Sequence, residues 1–327
     1  MIEPFGQVSH RTQLRRLRAA AEAVLPEYAL AGATLRLVQH DFNATFRVDH
    51  PTGRFALRIN TNSPHGPAAV AAEAAWVEAV RRDTELTVPA PRRTSAGALS
   101  AGAAIAGLDG LRGVAVYSWL DGPDLGERAS LRRLRALGRA VAMLHEHTAT
   151  WQHPNPDARR RYDSILLDEP DHMTGNSRIP DAAQTLLGEV QGALQRIINP
   201  MLNEPFQLIH GDVHLWNTKW VDGSIAVLDF DDCGWGLPLQ DLSISCYYVQ
   251  DRAGGQDAIL EGYQDHRGLP GHTEEQFQAL LAARNLLLMN SILPAVNAGM
   301  DDFFPGYLDR TVKRLRRWRD TGQFEMS

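Results

Sequence analysis

Apolar residues recur with two different periods along this chain. From 11 to 25 they fall at Leu14, Leu17, Ala20 and Val24, one stripe of a helix that Pro26 closes. The period then drops to two. Residues 34–38, 44–48 and 55–59 alternate as strands do, and Pro51-Thr52-Gly53 joins the last two as a hairpin. An Ala-rich helix is predicted over 67–82, with Ala72, Trp76 and Val80 on one face, and strand-like runs return at 101–106 and 113–119. Beyond about 128 the pattern is helical at 130–147, 181–197, 238–249, 255–266, 273–292 and 303–319. Strand signals in this half flank only residues 210–229, and the Pro-, Asp- and His-rich stretch 150–180 reads as a loop or short helix. The expectation is an α+β chain of two lobes: a small antiparallel sheet with a packed helix (1–122), then a larger helical part (123–327), dividing near Asp121-Gly122-Pro123.

Composition narrows the classes. Apolar residues make up 44% and charged residues 22% of 327, which is the balance of a packed core rather than of a disordered chain. The net charge of -6 argues against a general nucleic-acid binder. The basic run 313–319 is interleaved with Leu and Trp at helical spacing and reads as the wet face of a helix. Two cysteines, Cys233 and Cys246, lack metal-ligand spacing and are too few for a disulfide framework. No apolar run approaches a membrane span and the first residues are not signal-like, so a cytoplasmic location without membrane attachment is expected.

The chemistry concentrates in His210-Gly211-Asp212-Val213-His214-Leu215-Trp216-Asn217 and Val227-Leu228-Asp229-Phe230-Asp231. One tight loop can carry Asp212 and Asn217. A turn at Val221-Asp222-Gly223-Ser224 separates it from an apolar run that ends in Asp229, so the order reads loop, hairpin, acid at a strand end. Phosphoryl transfer asks for such groups: positioning, and neutralisation of charge on the moving oxygens. Mg²⁺ takes one or two carboxylates, a carbonyl oxygen, waters and phosphates, a role that Asn217 and Asp229 fit. Asp212 would face the acceptor hydroxyl, orienting it and taking its proton.

The pattern H-G-D-x-H-x-x-N followed by hydrophobic-D-F-D resembles the aminoglycoside phosphotransferase superfamily, which includes choline kinases and is related to the protein kinases. The resemblance implies a protein-kinase-like fold, ATP (GTP not excluded) with Mg²⁺ as cofactors, and a small-molecule hydroxyl as acceptor. It also implies a cation on the third strand. Lys219 and Lys313 are the only lysines and neither lies there, so Arg58 is the candidate, on the face opposite Leu57 and Ile59. Its expected partner is Glu73, with Glu78 second; the competing reading is an exposed strand Arg paired across the hairpin. The phosphate-covering turn falls at 39–45, which holds no glycine. Asn43 and Thr45 stand as nucleotide-binding candidates there, against a simple hairpin turn. Adenine would be read by backbone groups around Tyr117, Ser118 and Trp119. Asp241 is implied to bond the catalytic-loop backbone, the alternative being a helix cap. His145 is a structural helix-end partner, His210 and His214 shape the loop, and Trp216 packs beneath it. Asp231 and Asp232 are secondary candidates for metal or substrate, suited to a cationic amine.

Only nine positions separate Asp229 from Pro238, too few for the long activation segment of a regulated protein kinase. Three functions stay open on the residues alone. The first is a small-molecule kinase, the second a Ser/Thr protein kinase like the bacterial stress-response member of the superfamily, and the third an inactive nucleotide-binding module.

Overall fold

A computed structural model describes residues 2–40, 42–62, 66–126, 129–167, 169–295 and 300–326. Helix α1 (His10–Val24) starts at Ser9, whose hydroxyl accepts the Thr12 amide, and is followed by β1 (Thr34–His40), β2 (Asn43–His50) and β3 (Gly53–Asn60). After α2 (Pro67–Asp83) come β4 (Pro91–Arg92), β5 (Ala101–Ala104) and β6 (Leu111–Ser118). The sheet is antiparallel throughout, in the order β1-β2-β3-β6-β4, with β5 also on β6.

Strand alternation sorts this sheet into two faces. Ala44, Phe46, Val48, Leu57, Ile59, Val114 and Val116 bury against Leu17, Ala21 and Val24 of α1. On the other face Ala115 and Tyr117 pack with Trp76, Val77 and Val80 of α2, in a core continuous with the helical half. Arg58 and Thr45 lie opposite each other in register, off the α1 core.

The second half runs α3 (Leu131–Thr150), β7 (Arg160–Arg161), α4 (Asp181–Ile198), β8 (Gln207–Ile209), β9 (Thr218–Val221), β10 (Ser224–Val227), β11 (Gly234–Gly236), α5 (Pro238–Tyr247), α6 (Gly255–Gln264), α7 (Glu274–Ile292) and α8 (Met300–Thr321). The β9–β10 hairpin turns on Asp222 and Gly223, both at positive φ (48° and 85°), as a two-residue turn of matching twist requires. Helices α3 and α6 touch backbone to backbone: a Cβ on Gly138 would lie 1.9 Å from the Ile259 carbonyl oxygen, and one on Gly262 1.8 Å from that of Arg135.

Most expected helices appear within three residues of their predicted ends. Two differences matter. The stretch 150–180 contributes β7, which pairs in parallel with β11, and β11 pairs antiparallel with β8. Strands in this half therefore extend beyond those flanking the loop. Their two- and three-residue lengths give no readable alternation. Helix α8 also begins at Met300, ahead of the predicted 303, taking Pro305 within its opening turns. Among the described residues no helix is long and apolar enough to cross a membrane.

Candidate active site

The loop that carries Asp212 and Asn217 leaves β8 at His210 and is fixed by Asp241 in the first turn of α5. The buried Asp241 carboxylate accepts the amides of His210 (2.8 Å) and Gly211 (2.6 Å), and meets His145 Nε2 at 3.0 Å. Burial works against its ionisation, but the His145 hydrogen bond and charge outweigh it and hold the carboxyl below the usual range. His145 Nδ1 lies 3.0 Å from the Tyr263 hydroxyl, so the support reaches from α3 to α6. Asp241 thus bonds the loop backbone, and His145 is its structural partner.

Gly211 is needed where it stands. Its φ is +80°, and a Cβ would lie 2.1 Å from the Tyr162 hydroxyl and 2.6 Å from the Asp232 carbonyl oxygen. His210 Nδ1 accepts the Asp212 amide (3.2 Å), so Nε2 carries the proton given to the Leu228 carbonyl (3.0 Å). Burial holds this ring neutral. His214 Nδ1 accepts the Trp216 amide (3.1 Å), which leaves its Nε2 3.3 Å from Asp212 Oδ2.

Asp212 is gripped on both oxygens. Asn217 Nδ2 donates to Oδ2 (2.8 Å) and to the Asp212 carbonyl (3.1 Å), while Arg284 Nη2 donates to Oδ1. Burial raises the carboxyl pKa, but His214 and then Arg284 dominate and bring it down to about 2. A base this weak orients a hydroxyl more than it deprotonates it.

The β9–β10 hairpin brings Asp229 alongside Asn217, since the Leu228 amide donates to the Asn217 carbonyl (2.9 Å). Asp229 adopts a left-handed conformation (φ +57°, ψ 68°), uncommon for a side-chain-bearing residue and of the kind found where a group is aimed. Arg58 Nη1 donates to Asp229 Oδ1 (2.9 Å), Arg58 Nη2 to Glu73 and Nε to Asn60 (3.3 Å). Arg58 is therefore the buried strand cation, paired with Glu73; Glu78 instead pairs with Arg93 (2.6 Å). The Tyr117 hydroxyl braces Glu73 from β6 (2.7 Å). Burial and then the Asp231 charge push Asp229 above its ordinary pKa, and the same causes push Asp232 up to about 7. The Asp229 side chain is 42% exposed, which screens part of that repulsion.

The remaining candidates divide. Asn43 Nδ2 donates to Asp231, which ties the start of β2 to the acidic segment; Asn43 Oδ1 is buried with no partner. Thr45 shares the face of Arg58. Asp41, in the predicted phosphate turn, lies outside the described residues. Ser118 and Trp119 already donate their amides to the carbonyls of Ala90 (2.8 Å) and Arg54 (3.1 Å), so neither N–H is available to an adenine in this arrangement. Trp216 does not pack beneath the loop: it is 54% exposed, its ring against Gly126, because the buried contacts of this turn are taken by Val213 and Leu215.

Three contributors escaped the sequence. Arg159 donates to the carbonyls of Ala69 (2.9 Å), Asp231 (2.8 Å) and Cys233 (2.8 Å), tying α2 to the acidic segment. Arg284 holds Asp212 from α7, and Tyr248 accepts from the same Arg284 nitrogen (3.0 Å). Arg284 did carry a signal: it sits in a helix that is buried all round, where a charge demands a partner.

The donor set fits a nucleotide-bound Mg²⁺. Asp229 lies alongside Asn217, and Arg58 beside Asp229 presents a guanidinium of the shape that phosphates accept. Among the described residues no three His, Cys, Asp or Glu side chains form a cation cage by themselves. An ion here would draw its remaining ligands from the nucleotide and water.

Sheet half, helical half and the Asp–Asn–Asp loop together make a protein-kinase-like phosphotransferase fold. The chain belongs to the phosphotransferase enzyme family (APH), whose model matches residues 34–277, and it is an enzyme of that phosphoryl-transferring class. It is 26% identical over 114 residues to the amicoumacin kinase of Bacillus subtilis (strain 168), a match covering 35% of this chain and 33% of that kinase's length. Among solved structures it is similar to a microcompartment-associated aminopropanol kinase (TM-score 0.74, 22% identity, 95% of this chain and 100% of that one). It is also similar to the amicoumacin kinase hAmiN in complex with AMP-PNP, Ca²⁺ and Ami (TM-score 0.71, 18% identity, 93% and 96%).

Proposed function

We propose that this protein transfers the γ-phosphoryl group of ATP, carried with Mg²⁺, to the hydroxyl of a small molecule. The observation that carries this is the convergence of Asp212, Asn217 and Asp229, joined by the Asn217–Asp212 hydrogen bond and the Leu228–Asn217 backbone bond, with Arg58 on Asp229. The nucleotide would supply the phosphoryl group, and the ion would neutralise charge on its oxygens. Asn217 and Asp229 would hold the ion, and Arg58, braced by Glu73 and Tyr117, the inner phosphates. Asp212 orients the acceptor hydroxyl. As the new oxygen–phosphorus bond forms and the bond to the leaving diphosphate breaks, the hydroxyl proton passes to the Asp212 carboxylate. Asn43 and Thr45 are assigned to the phosphate side, and the linker carbonyls from Tyr117 to Trp119, rather than the engaged Ser118 and Trp119 amides, to the adenine side. His210, His214, Asp231 and Asp241 keep the loop and acidic segment in place.

An amino alcohol is the favoured acceptor type. Asp231 and Asp232 suit a cationic amine, and one structural neighbour, an aminopropanol kinase, is named for a molecule that joins an amine to an alcohol. The test is a panel of amino alcohols, aminoglycosides, hydroxy amino acids and a generic protein, each incubated with Mg·ATP while ADP release is followed. A small acceptor should stimulate release, and Asp212→Asn should lose about 10³-fold or more in rate while still binding nucleotide. Phosphorylation of the generic protein alone would overturn the small-molecule assignment. Normal turnover by Asp212→Asn would overturn the role given to that residue.

A further inference from the structure

Arg284 has no part in the scheme above, yet its side chain is buried in mid-α7 against Asp212. One nitrogen, Nη2, serves both Asp212 Oδ1 and the Tyr248 hydroxyl. Nε is buried with no hydrogen-bond partner. A guanidinium presents five donors in a rigid fork, and here much of that fork is unused beside the reacting position.

Among the described residues the other cations of this region have partners of their own, Arg160 with Asp232 among them. Lys219 pairs with Asp124 and Lys313 with Asp309, each at 2.8 Å. Arg58 is engaged by Glu73 and Asp229. Among the described residues, Arg284 is the one guanidinium bonded to Asp212. Asn217 occupies Oδ2 and Arg284 Oδ1, so a hydroxyl that reaches Oδ1 arrives beside Arg284. The phosphoryl group that joins that hydroxyl then brings its own oxygens to the same fork.

We propose that Arg284 is a further catalytic cation, which holds the Asp212 carboxylate by one nitrogen and offers its remaining donors to the oxygens of the transferring phosphoryl group. It does in cis, from a helix of the substrate side, what an arginine supplied in trans does for some nucleotide hydrolases. The inference rests on the phosphotransferase reading.

The test needs no turnover. Calorimetry would compare binding of Mg·ADP with that of Mg·ADP plus aluminium fluoride, a mimic of the planar phosphoryl group. Arg284→Gln should keep Mg·ADP affinity within about twofold yet lose about 10²-fold or more for the fluoride complex. Arg284→Lys should fall between. Equal losses for both probes would show that Arg284 only maintains structure, and no loss for either would show that it does not touch the phosphoryl position; each outcome overturns the proposal. Should Arg284→Gln not fold, the wild-type protein still decides. Its Arg284 Nε–H resonance should move when fluoride is added to the Mg·ADP complex, and an unmoved resonance overturns the assignment. Failure of the wild-type protein to bind Mg·ADP at all would instead remove the phosphotransferase reading.

Discussion

The two halves of the site each contain a buried guanidinium set against a carboxylate, and the two pairs differ in what they leave over. Arg58 in the sheet half is engaged on Nε, Nη1 and Nη2, by Asn60, Asp229 and Glu73, and Glu73 is engaged again by Tyr117. Arg284 in the helical half is engaged through a single nitrogen. Every nitrogen of the first is engaged, which fixes its direction beside the phosphates assigned to it; the second keeps donors in reserve beside the group that must react. Buried guanidinium groups can therefore differ in how firmly they are held, and the hydrogen-bond count on each tells them apart.

Breaking the brace should have the largest effect. Arg58→Met leaves Glu73 as a buried carboxylate without its counter-ion, which should lower stability by about 3–5 kcal/mol and raise the KM for nucleotide. Adding Glu73→Leu should recover part of the stability but none of the KM, as denaturant titration beside nucleotide kinetics would show. If the single variant unfolds at the wild-type denaturant concentration, the brace reading is wrong.

Gly211→Ala attacks the other half through the backbone of the loop. A left-handed φ and a Cβ facing Tyr162 and the Asp232 carbonyl should remove about 2–4 kcal/mol. Asp212 would be displaced at the same time, so kcat should fall more than nucleotide affinity does. A melting curve identical to wild type would mean that the loop has room not apparent in its contacts.

A smaller effect separates the halves by pH. Asp232 has a folded-state pKa raised to about 7 from an ordinary value near 4. Its folded form therefore holds the proton more tightly than the unfolded chain does. That stabilisation is complete below about pH 4 and is lost as pH rises through about 7. Asp232→Asn removes the titration, so its Tm relative to wild type should be more favourable at pH 8 than at pH 4, by about 2–4 °C after allowing for a third of the side chain being exposed. An unchanged difference between the two pH values would contradict the assignment. Smallest of all, Glu78→Gln touches only the exposed Arg93 pair. It should shift stability by no more than about 0.5 kcal/mol and leave nucleotide KM unchanged; a raised KM would return Glu78 to the list of Arg58 partners.

What could be read from the sequence follows chain distance. Arg58, its face on β3 and its partner Glu73 were legible because both periods are local and the absence of lysine from the third strand left one cation. Asp212, Asn217 and Asp229 were legible because motif spacing fixes a loop, a hairpin and a strand end, and the bond of Asp241 to the loop backbone because the family resemblance implies it. Arg284 and Arg159 were not. Their partners lie 36 to 90 positions away, and the contacts of Arg159 are to backbone carbonyls, which leave no mark on side-chain identity. Trp216 was misread for a related reason: a large apolar residue in a motif suggests burial, whereas the turn gives its interior positions to its neighbours Val213 and Leu215.

Arg159 has a mechanical implication. Because one rigid, planar group clasps the main chain of α2 on one side and of the segment after Asp229 on the other, the two halves are pinned along that edge. Asn43, at the start of β2, ties to that same segment through Asp231, so opening the cleft along this edge must break a side-chain bond as well as the clasp.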